Sequence, residues 1–520
     1  MVKFITPDSS RLPLTKNMTQ PDPADTIAAI STPSGEAGIG IVRLSGPRSR
    51  EIAREIFRPR RPRRQWRSHQ LYLGEIVGSQ GEIIDEVLLT WMRAPHTYTR
   101  EDVVEINCHS GYRVLERLLS LALERGARLA RPGEFTLRAF LSGRIDLTQS
   151  EAVLEVIRAR SEAALQVAAG HLQGGLGRSL ARLREDLLDL LARVEAALDF
   201  PEEAEELAPA FLEEALAPRM ETLARLTASY RQGRLLREGL LAVIAGRTNA
   251  GKSSLLNRLL NLDRAIVTEI PGTTRDLIEE TITLGSIPVR LSDTAGLGPA
   301  RDRLEELGMK RTRERLAQAD LVLYLLDGSL PMAAADRQAL REISGRRGLA
   351  VINKADLPRT LGETEVQAAT SFPVLSVSAL TGQGIEALKE AMIAQALGGG
   401  LRLSGEMVTL ARHHRHLEGC LGCLARAREL LAVYLLPQSP QAPPWELVGL
   451  ELQEAIRELG EITGQEMGDE VLERIFGEFC LGKEEFLGGE SRGAGGTGVP
   501  VAQASSPVGL RKPLTIRQAP

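Results

Sequence analysis

The chain has 520 residues, 43% apolar and 25% charged; that length exceeds a single core and suggests roughly three domains, while that composition excludes a disordered, collagenous or coiled-coil chain. The 64 Lys and Arg against 68 Asp and Glu give a net charge of −4, so a nucleic-acid partner must be met by a local patch and not by the global field. Four cysteines exclude a disulfide framework and point to a reducing compartment.

Residues 1–22 are polar, carry Pro7, Pro13 and Pro21, and show no periodicity, which predicts a loose extension without the apolar centre of a signal peptide. From Thr26 to about Phe140, β-like runs at 39–44, 71–77, 86–91 and 103–108 alternate with helical patterns at 48–57 and 111–125. That alternation predicts a compact α+β domain. Within it, Arg58–Arg67 holds six arginines in ten residues, expected to form a solvated loop, with phosphate contact as the sharper alternative. From Leu147 to about Arg237 the pattern is helical: Leu180, Leu183, Leu187, Leu191 and Val194 recur at i, i+3/i+4. Strand–loop–helix alternation runs from Leu240 to about Leu397, and a helical pattern returns at 408–480. Helical blocks on both sides of an α/β unit predict insertion of one domain into another. No apolar run reaches the roughly 18 residues of a membrane helix, so a soluble, cytoplasmic protein without membrane attachment is expected. The division expected is 1–22 extension, 23–141 first domain, 142–237 helical, 238–400 α/β, 401–483 helical again and 484–520 a Gly/Pro-rich disordered tail.

Chemistry concentrates in the α/β unit. The strand-like 240–245 runs into Gly246-Arg-Thr-Asn249-Ala250-Gly251-Lys252-Ser253, followed by a helical segment from Ser254. This is a GxxxxGK[ST] phosphate loop in its strand-to-helix setting, with Lys252 reaching the β/γ oxygens and the Ser253 hydroxyl ligating magnesium. Asn353-Lys354-Ala355-Asp356 ends another strand, and the Asp356 carboxylate suits the N1–H and amine of guanine, where adenine presents an acceptor. Ser378-Ala379-Leu380 resembles the small-residue loop that packs against guanine in GTPases. Asp293-Thr294-Ala295-Gly296 follows a strand and would face magnesium and the γ-phosphate, and Thr273-Thr274-Arg275-Asp276 lies where a switch loop should supply a threonine. Leu297 occupies the place of the water-orienting glutamine of Ras-like enzymes, leaving Glu305 and Glu306 as candidates. For the cation on the developing charge, Arg275 and a monovalent ion held by Asn249 both remain open.

These residues, with Asp25-Thr-Ile-Ala, Gly38 to Gly46, Glu101 to Glu105, Ala130 to Thr136, Arg138 to Gln149 and the ending Phe479-Cys480-Leu481-Gly482-Lys483, resemble the bacterial and organellar tRNA-modification GTPase family called MnmE or TrmE. The resemblance runs from about Asp25 to Lys483. It implies a multidomain fold: an α+β N-terminal folate-binding and dimerising domain, a discontinuous all-α helical domain and an inserted α/β P-loop GTPase domain. It implies modification of the tRNA wobble uridine at C5, by a carboxymethylaminomethyl-type reaction, with a one-carbon unit from a tetrahydrofolate derivative. A MnmG (GidA)-type flavoprotein would complete a heterotetramer with the homodimer and bring FAD and NADH. By this resemblance Asn249, Thr268, Ile270 and Thr273 would hold K+, and Ser253 and Thr274 would hold Mg2+. Glu305 would orient the water, and Arg43, Glu105, Arg144 and Lys483 would contact formyl-tetrahydrofolate. At that site Cys480 is open to two readings, a reactive thiol or an ordinary buried cysteine. Two departures are visible: Arg100 stands where the family usually has Gly, and the chain continues for 37 residues beyond Lys483. A ribosome-assembly GTPase switch without small-molecule chemistry is the alternative function, and a mechanical scaffold is a second. His416, Cys420 and Cys423, at i, i+4 and i+7, fall outside the family pattern; core packing of the two cysteines is expected over zinc binding.

Overall fold

The computed structural model describes residues 24–33, 35–62, 64–199, 208–263, 279–293, 314–398, 403–432, 434, 443–477 and 479. The expected extension and tail lie outside these residues.

The first sheet contains β1 (Ile27–Ile30), β2 (Ala37–Ser45), β3 (Phe57–Pro59), β4 (Gln70–Val77), β5 (Ile83–Met92), β6 (Val103–Ser110) and β7 (Arg128–Leu129), ordered β3-β4-β5-β6-β2-β1-β7. Its pairings are antiparallel except β1 with β7. Period-2 alternation decides the faces: Tyr72 and Ile76 of β4 point inward while Leu71 and Leu73 point outward. Helices α1 (Ser49–Ile56) and α2 (Tyr112–Glu124) cover the inward face, with Ile52, Ile56, Leu118 and Leu121 meeting Val42, Leu44, Leu89 and Ile106. β1, β3 and β7 escape a sequence reading because two to four residues are too few to establish alternation.

The chain then turns helical through α3 (Glu134–Leu141), α4 (Leu147–Arg158), α5 (Glu162–Leu172), α6 (Gly175–Asp199) and α7 (Pro209–Glu238). Asp146 starts α4 with a capping box: its Oδ1 accepts from Gln149 N at 2.8 Å, and Gln149 Oε1 accepts from Asp146 N at 3.0 Å. The predicted stripe Leu180 to Val194 is buried along α6. The early part of α7 buries Leu212, Leu216, Leu223 and Leu226 in the helical core, whereas its end places Leu235 and Leu236 in the core under the second sheet.

That second sheet follows directly: β8 (Leu240–Gly246), α8 (Lys252–Asp263), β9 (Glu279–Leu284), β10 (Ile287–Asp293), β11 (Leu321–Asp327), α9 (Ala334–Ile343), β12 (Gly348–Asn353), α10 (Glu363–Gln367), β13 (Val374–Ser376) and α11 (Ile385–Leu397). Strand order is β13-β12-β11-β8-β10-β9, parallel except β9. β8 and β12 are buried at every residue, as parallel strands covered on both faces must be. Alternate residues feed two cores: Ala242, Ile244, Leu323 and Leu325 on one face, Leu241, Val243, Val322 and Tyr324 on the other. Helices α12 (Ala411–Ala432), α13 (Trp445–Thr463) and α14 (Asp469–Gly477) complete the order. α12 packs on α7 and α13, and α13 on α6, so stretches separated by residues 239–410 share one core. The architecture is multidomain: an α+β N-terminal domain, an all-α domain in two stretches, and an α/β P-loop domain inserted between them. Among the described residues no helix is long and apolar enough to cross a membrane.

Candidate active site

β8 lies between β10 and β11, where the strand order reverses, and the loops at the carboxyl ends of its parallel strands form the site. Gly246 leaves β8 at φ 145°, where a Cβ would stand 2.4 Å from Leu325 O. Gly251 sits at φ 94°, and a Cβ there would lie 2.2 Å from Asn353 Nδ2. Asn249 between them is left-handed at φ 67°, a conformation its short polar side chain tolerates. The loop thus demands glycine at both ends for steric reasons, which is what a backbone cradle for phosphates needs. Lys252 opens α8 and donates from Nζ to the carbonyls of Gly246 and Arg247, each at 3.0 Å, placing the ammonium across the mouth of its own loop. Ala250 is buried, and Ser253 and Ser254 follow on the first turn of α8.

The phosphate and base-reading loops are joined by one buried amide. Asn353 Nδ2 donates to Ala250 O at 2.9 Å, and its Oδ1 accepts from Ala379 N at 3.0 Å. Lys354 is left-handed at φ 65° and pairs through Nζ with Asp327 Oδ2 at 2.5 Å. Burial pushes the Asp327 carboxyl up, but Lys354 and the Ser329 hydroxyl and N–H outweigh it and hold it below its ordinary value. The Ser378 hydroxyl donates to Asp356 Oδ1 and accepts from Thr381 N at 3.1 Å, which orients the Asp356 carboxylate. Arg258 on α8 donates from Nε to Ala379 O at 2.9 Å and from Nη2 to Leu380 O, clamping that loop to the phosphate-loop helix. Ser378 and Ala379 are buried and Leu380 is exposed. Arg258 and Asp327 carry no motif signal. Asp327 could be found only through its place opposite Asn353 in the β11–β12 register.

Asp293 ends β10 opposite Ile244 of β8, which places it beside the phosphate-loop strand. Thr268, Ile270, Thr273, Thr274, Thr294, Ala295, Gly296 and Glu305 lie outside the described residues, as do Cys480 and Lys483.

In the N-terminal domain, Arg43 and Glu105 face each other in the β2–β6 register, and Arg43 Nε donates to Glu105 Oε1 at 2.7 Å. Arg144 instead lies 5.0 Å over the Tyr98 ring and lines a cleft of about 470 Å³ with Met92, Pro95, His96 and Arg100. Neither Arg43 nor Glu105 lines that cleft. Arg100 is left-handed at φ 60°, a position that suits glycine, and its Nη1 donates to Ser142 O at 2.7 Å. A cluster unseen in the sequence underlies this region. Buried Arg138 donates to Asp25, to Glu134 Oε1 at 3.0 Å and to Glu101 Oε1 at 3.0 Å, and Arg128 bonds Asp25 and Glu134 as well. Each member sits in or beside a motif block quoted for the resemblance, so those blocks carry ionic architecture as well as any ligand. In the helical core Cys420 and Cys423 are buried among leucines, while His416 Nδ1 pairs with Glu458 Oε2 at 2.6 Å.

Residues 26–144 match the family described as GTP-binding protein TrmE N-terminus, and residues 147–480 match the MnmE helical domain. The tRNA modification GTPase MnmE of Carboxydothermus hydrogenoformans is 45% identical over 469 residues, covering 88% of this chain and 99% of the relative. The proteins of that name from Heliobacterium modesticaldum and Moorella thermoacetica are 45% and 46% identical, each again covering 88% of this chain and 99% of the relative. With both family domains matched and identity of this level across nearly the whole of each relative, the chain belongs to the MnmE (TrmE) family of tRNA modification GTPases.

Proposed function

We propose that the chain is a potassium-stimulated GTPase which, with a MnmG-type flavoprotein, modifies C5 of the wobble uridine of certain tRNAs using a tetrahydrofolate one-carbon unit. The observation that carries the GTPase half is the Asn353 bridge between the phosphate loop and the loop beside Asp356. It ties the phosphate loop to the 378–380 loop, whose Ser378 hydroxyl bonds Asp356, and this supports a pocket that takes guanine and its phosphate chain together. In this reading Lys252 holds the β/γ oxygens, Asp356 accepts from the guanine N1–H and amine, and the buried Ala379 backs the base. Glu305 orients the attacking water. Ser253 and Thr274 would hold magnesium, and Asn249, Thr268, Ile270 and Thr273 would hold potassium, several through backbone oxygens. Both ions supply positive charge to the phosphoryl oxygens when bound. The left-handed Asn249 fits such a role, because its side chain rides on a loop whose shape the flanking glycines fix.

Hydrolysis would move switch segments and form no bond to carbon. The one-carbon chemistry is assigned to Arg43, Glu105, Arg144 and Lys483, which would hold formyl-tetrahydrofolate, with Cys480 as a candidate thiol for that ligand. Arginine suits a glutamate tail and a carboxylate suits the amide-like face of a pterin. The working unit would be a cytoplasmic homodimer joined by its flavoprotein partner, with domains at 23–141, 142–237 plus 401–483, and 238–400.

The deciding experiment is GTP hydrolysis by the purified chain in potassium against sodium at equal ionic strength. A large potassium-specific stimulation, lost in Glu305→Ala while GTP binding stays within a few-fold of wild type, is the expected result. Equal rates in both salts would remove the potassium mechanism.

A further inference from the structure

We propose that the basic loop between β3 and β4, in its described residues 60–62 and 64–69, is a docking surface for the phosphate backbone of the RNA substrate, with Arg61, Arg64 and Arg67 as its contacts. The proposal rests on the tRNA reading above and names the place on this chain that meets the RNA.

Three observations carry it. The loop is pinned from below: Trp66 is buried, its ring stacked on Tyr72 at 5.8 Å and edge-on to Phe57 at 5.9 Å, and Arg67 N donates to Tyr72 Oη at 2.5 Å. With the anchor turned inward, Arg61, Arg64 and Arg67 are exposed, and no acid pairs with any of them among the described residues. Of their neighbours, Arg60 meets Glu86 at 3.5 Å in an exposed, weak pair, and Arg58 stands opposite Glu75 in the β3–β4 register.

Positive charge also gathers beneath the loop. Arg54 lies 5.5 Å over the Trp66 ring, and Arg50 lies 4.2 Å over Trp91 with its Nε buried and unpartnered. Burial, Arg54 and Arg93 together pull Arg50 below its ordinary value, against Asp102. In a chain of net charge −4 this corner runs against the overall balance. Arginine forks match phosphate oxygens, and Pro59 and Pro62 stiffen the segment that presents them. An anionic lipid surface fits less well, because the loop's one large apolar side chain, Trp66, faces the core and offers nothing to the bilayer.

The test is binding of a labelled tRNA transcript to the full chain across a salt series, by fluorescence anisotropy, for wild type and Arg61→Gln/Arg64→Gln/Arg67→Gln. The expected result is affinity about tenfold or more weaker at 0.1 M salt, and a log K against log salt slope shallower by about 2. The corresponding triple lysine variant should keep the wild-type slope, and GTP hydrolysis should be unchanged in both. An unchanged slope in the glutamine variant while wild type binds tRNA overturns this assignment and leaves the functional reading intact. Wild type that does not bind tRNA overturns this assignment too, while the functional reading stands or falls on the potassium test above. Loss of binding to anionic vesicles with tRNA affinity retained overturns it in favour of a membrane surface.

Discussion

Asn353 is one side chain with two buried hydrogen bonds, and both ends of them are backbone groups of ligand loops. Removing the amide strands Ala250 O and Ala379 N where water reaches poorly, at about 1–3 kcal/mol for each buried group left unpaired. Asn353→Ala should therefore lower the unfolding temperature of the α/β domain by several degrees in calorimetry without nucleotide, and weaken GTP binding as well. An unchanged unfolding temperature would show that the bridge is not structural. Asp356→Asn separates reading of the base from folding. It keeps an acceptor for the Ser378 hydroxyl, yet it replaces with an amide an oxygen that would accept from guanine. GTP affinity should fall at least about a hundredfold with the fold intact, and fluorescent-nucleotide titration checks it. At this scale the sequence was informative wherever chemistry fixes spacing: the glycines, Lys252, Asn353 and Asp356 announce themselves. Arg258 and Asp327 do not, because an arginine on an amphipathic helix and an aspartate at a strand end have many ordinary uses, and only the fold brings them to the site.

Between elements, one buried ionic tie joins α4 to α12. Glu151 on α4 accepts from Arg412 Nη2 at 2.9 Å and from His413 Nε2 at 2.7 Å. Burial pushes the Glu151 carboxyl up, but His413 and Arg412 outweigh it and bring it down to about 2. Burial in turn pulls His413 below its ordinary value, so the permanent charge of Arg412 is the steadier support for the carboxylate. A folded value below the ordinary 4.5 means the stabilisation is complete above about pH 4.5 and drains away as pH falls toward 2. The shift corresponds to an upper figure of about 3 kcal/mol. Glu151→Gln should lower stability at pH 7 and flatten the loss between pH 5 and 2, measured by urea unfolding across pH. A mutant that tracks wild type through that window would refute the linkage. The periodicity of α6 and α12 is plain in the sequence, and the placement of Cys420 and Cys423 in the core follows from their i, i+3 spacing on the apolar face. The Glu151–Arg412 contact was not legible, since 261 residues separate partners that meet only when the two helical stretches close on each other.

At the scale of the whole molecule, insertion could be read from the change of pattern near Leu240 and its reversal beyond Leu397, because parallel strands and amphipathic helices differ in period. Strand order and the open face of the first sheet could not, since both depend on pairings far apart in the chain. That open face bears on the proposed homodimer. Leu73 on β4 stands directly opposite Leu88 on β5, and Leu71 lies two residues away on the same face. The three are 40%, 43% and 59% exposed, in that order, on a regular sheet surface. Cross-strand leucines left in water are costly for a soluble domain unless a second surface covers them, and a two-fold partner presenting the same strands would do so with a self-complementary patch. Leu73→Asp with Leu88→Asp puts two carboxylates where each protomer would meet its copy, and burying them unpaired costs several kcal/mol. The expected outcome is a shift from dimer to monomer by light scattering. The unfolding temperature should fall only slightly, because both side chains are already solvent-facing within the protomer. A dimer that persists in this variant would place the interface on another face of the N-terminal domain. A variant that unfolds would instead show that the two leucines support the sheet itself.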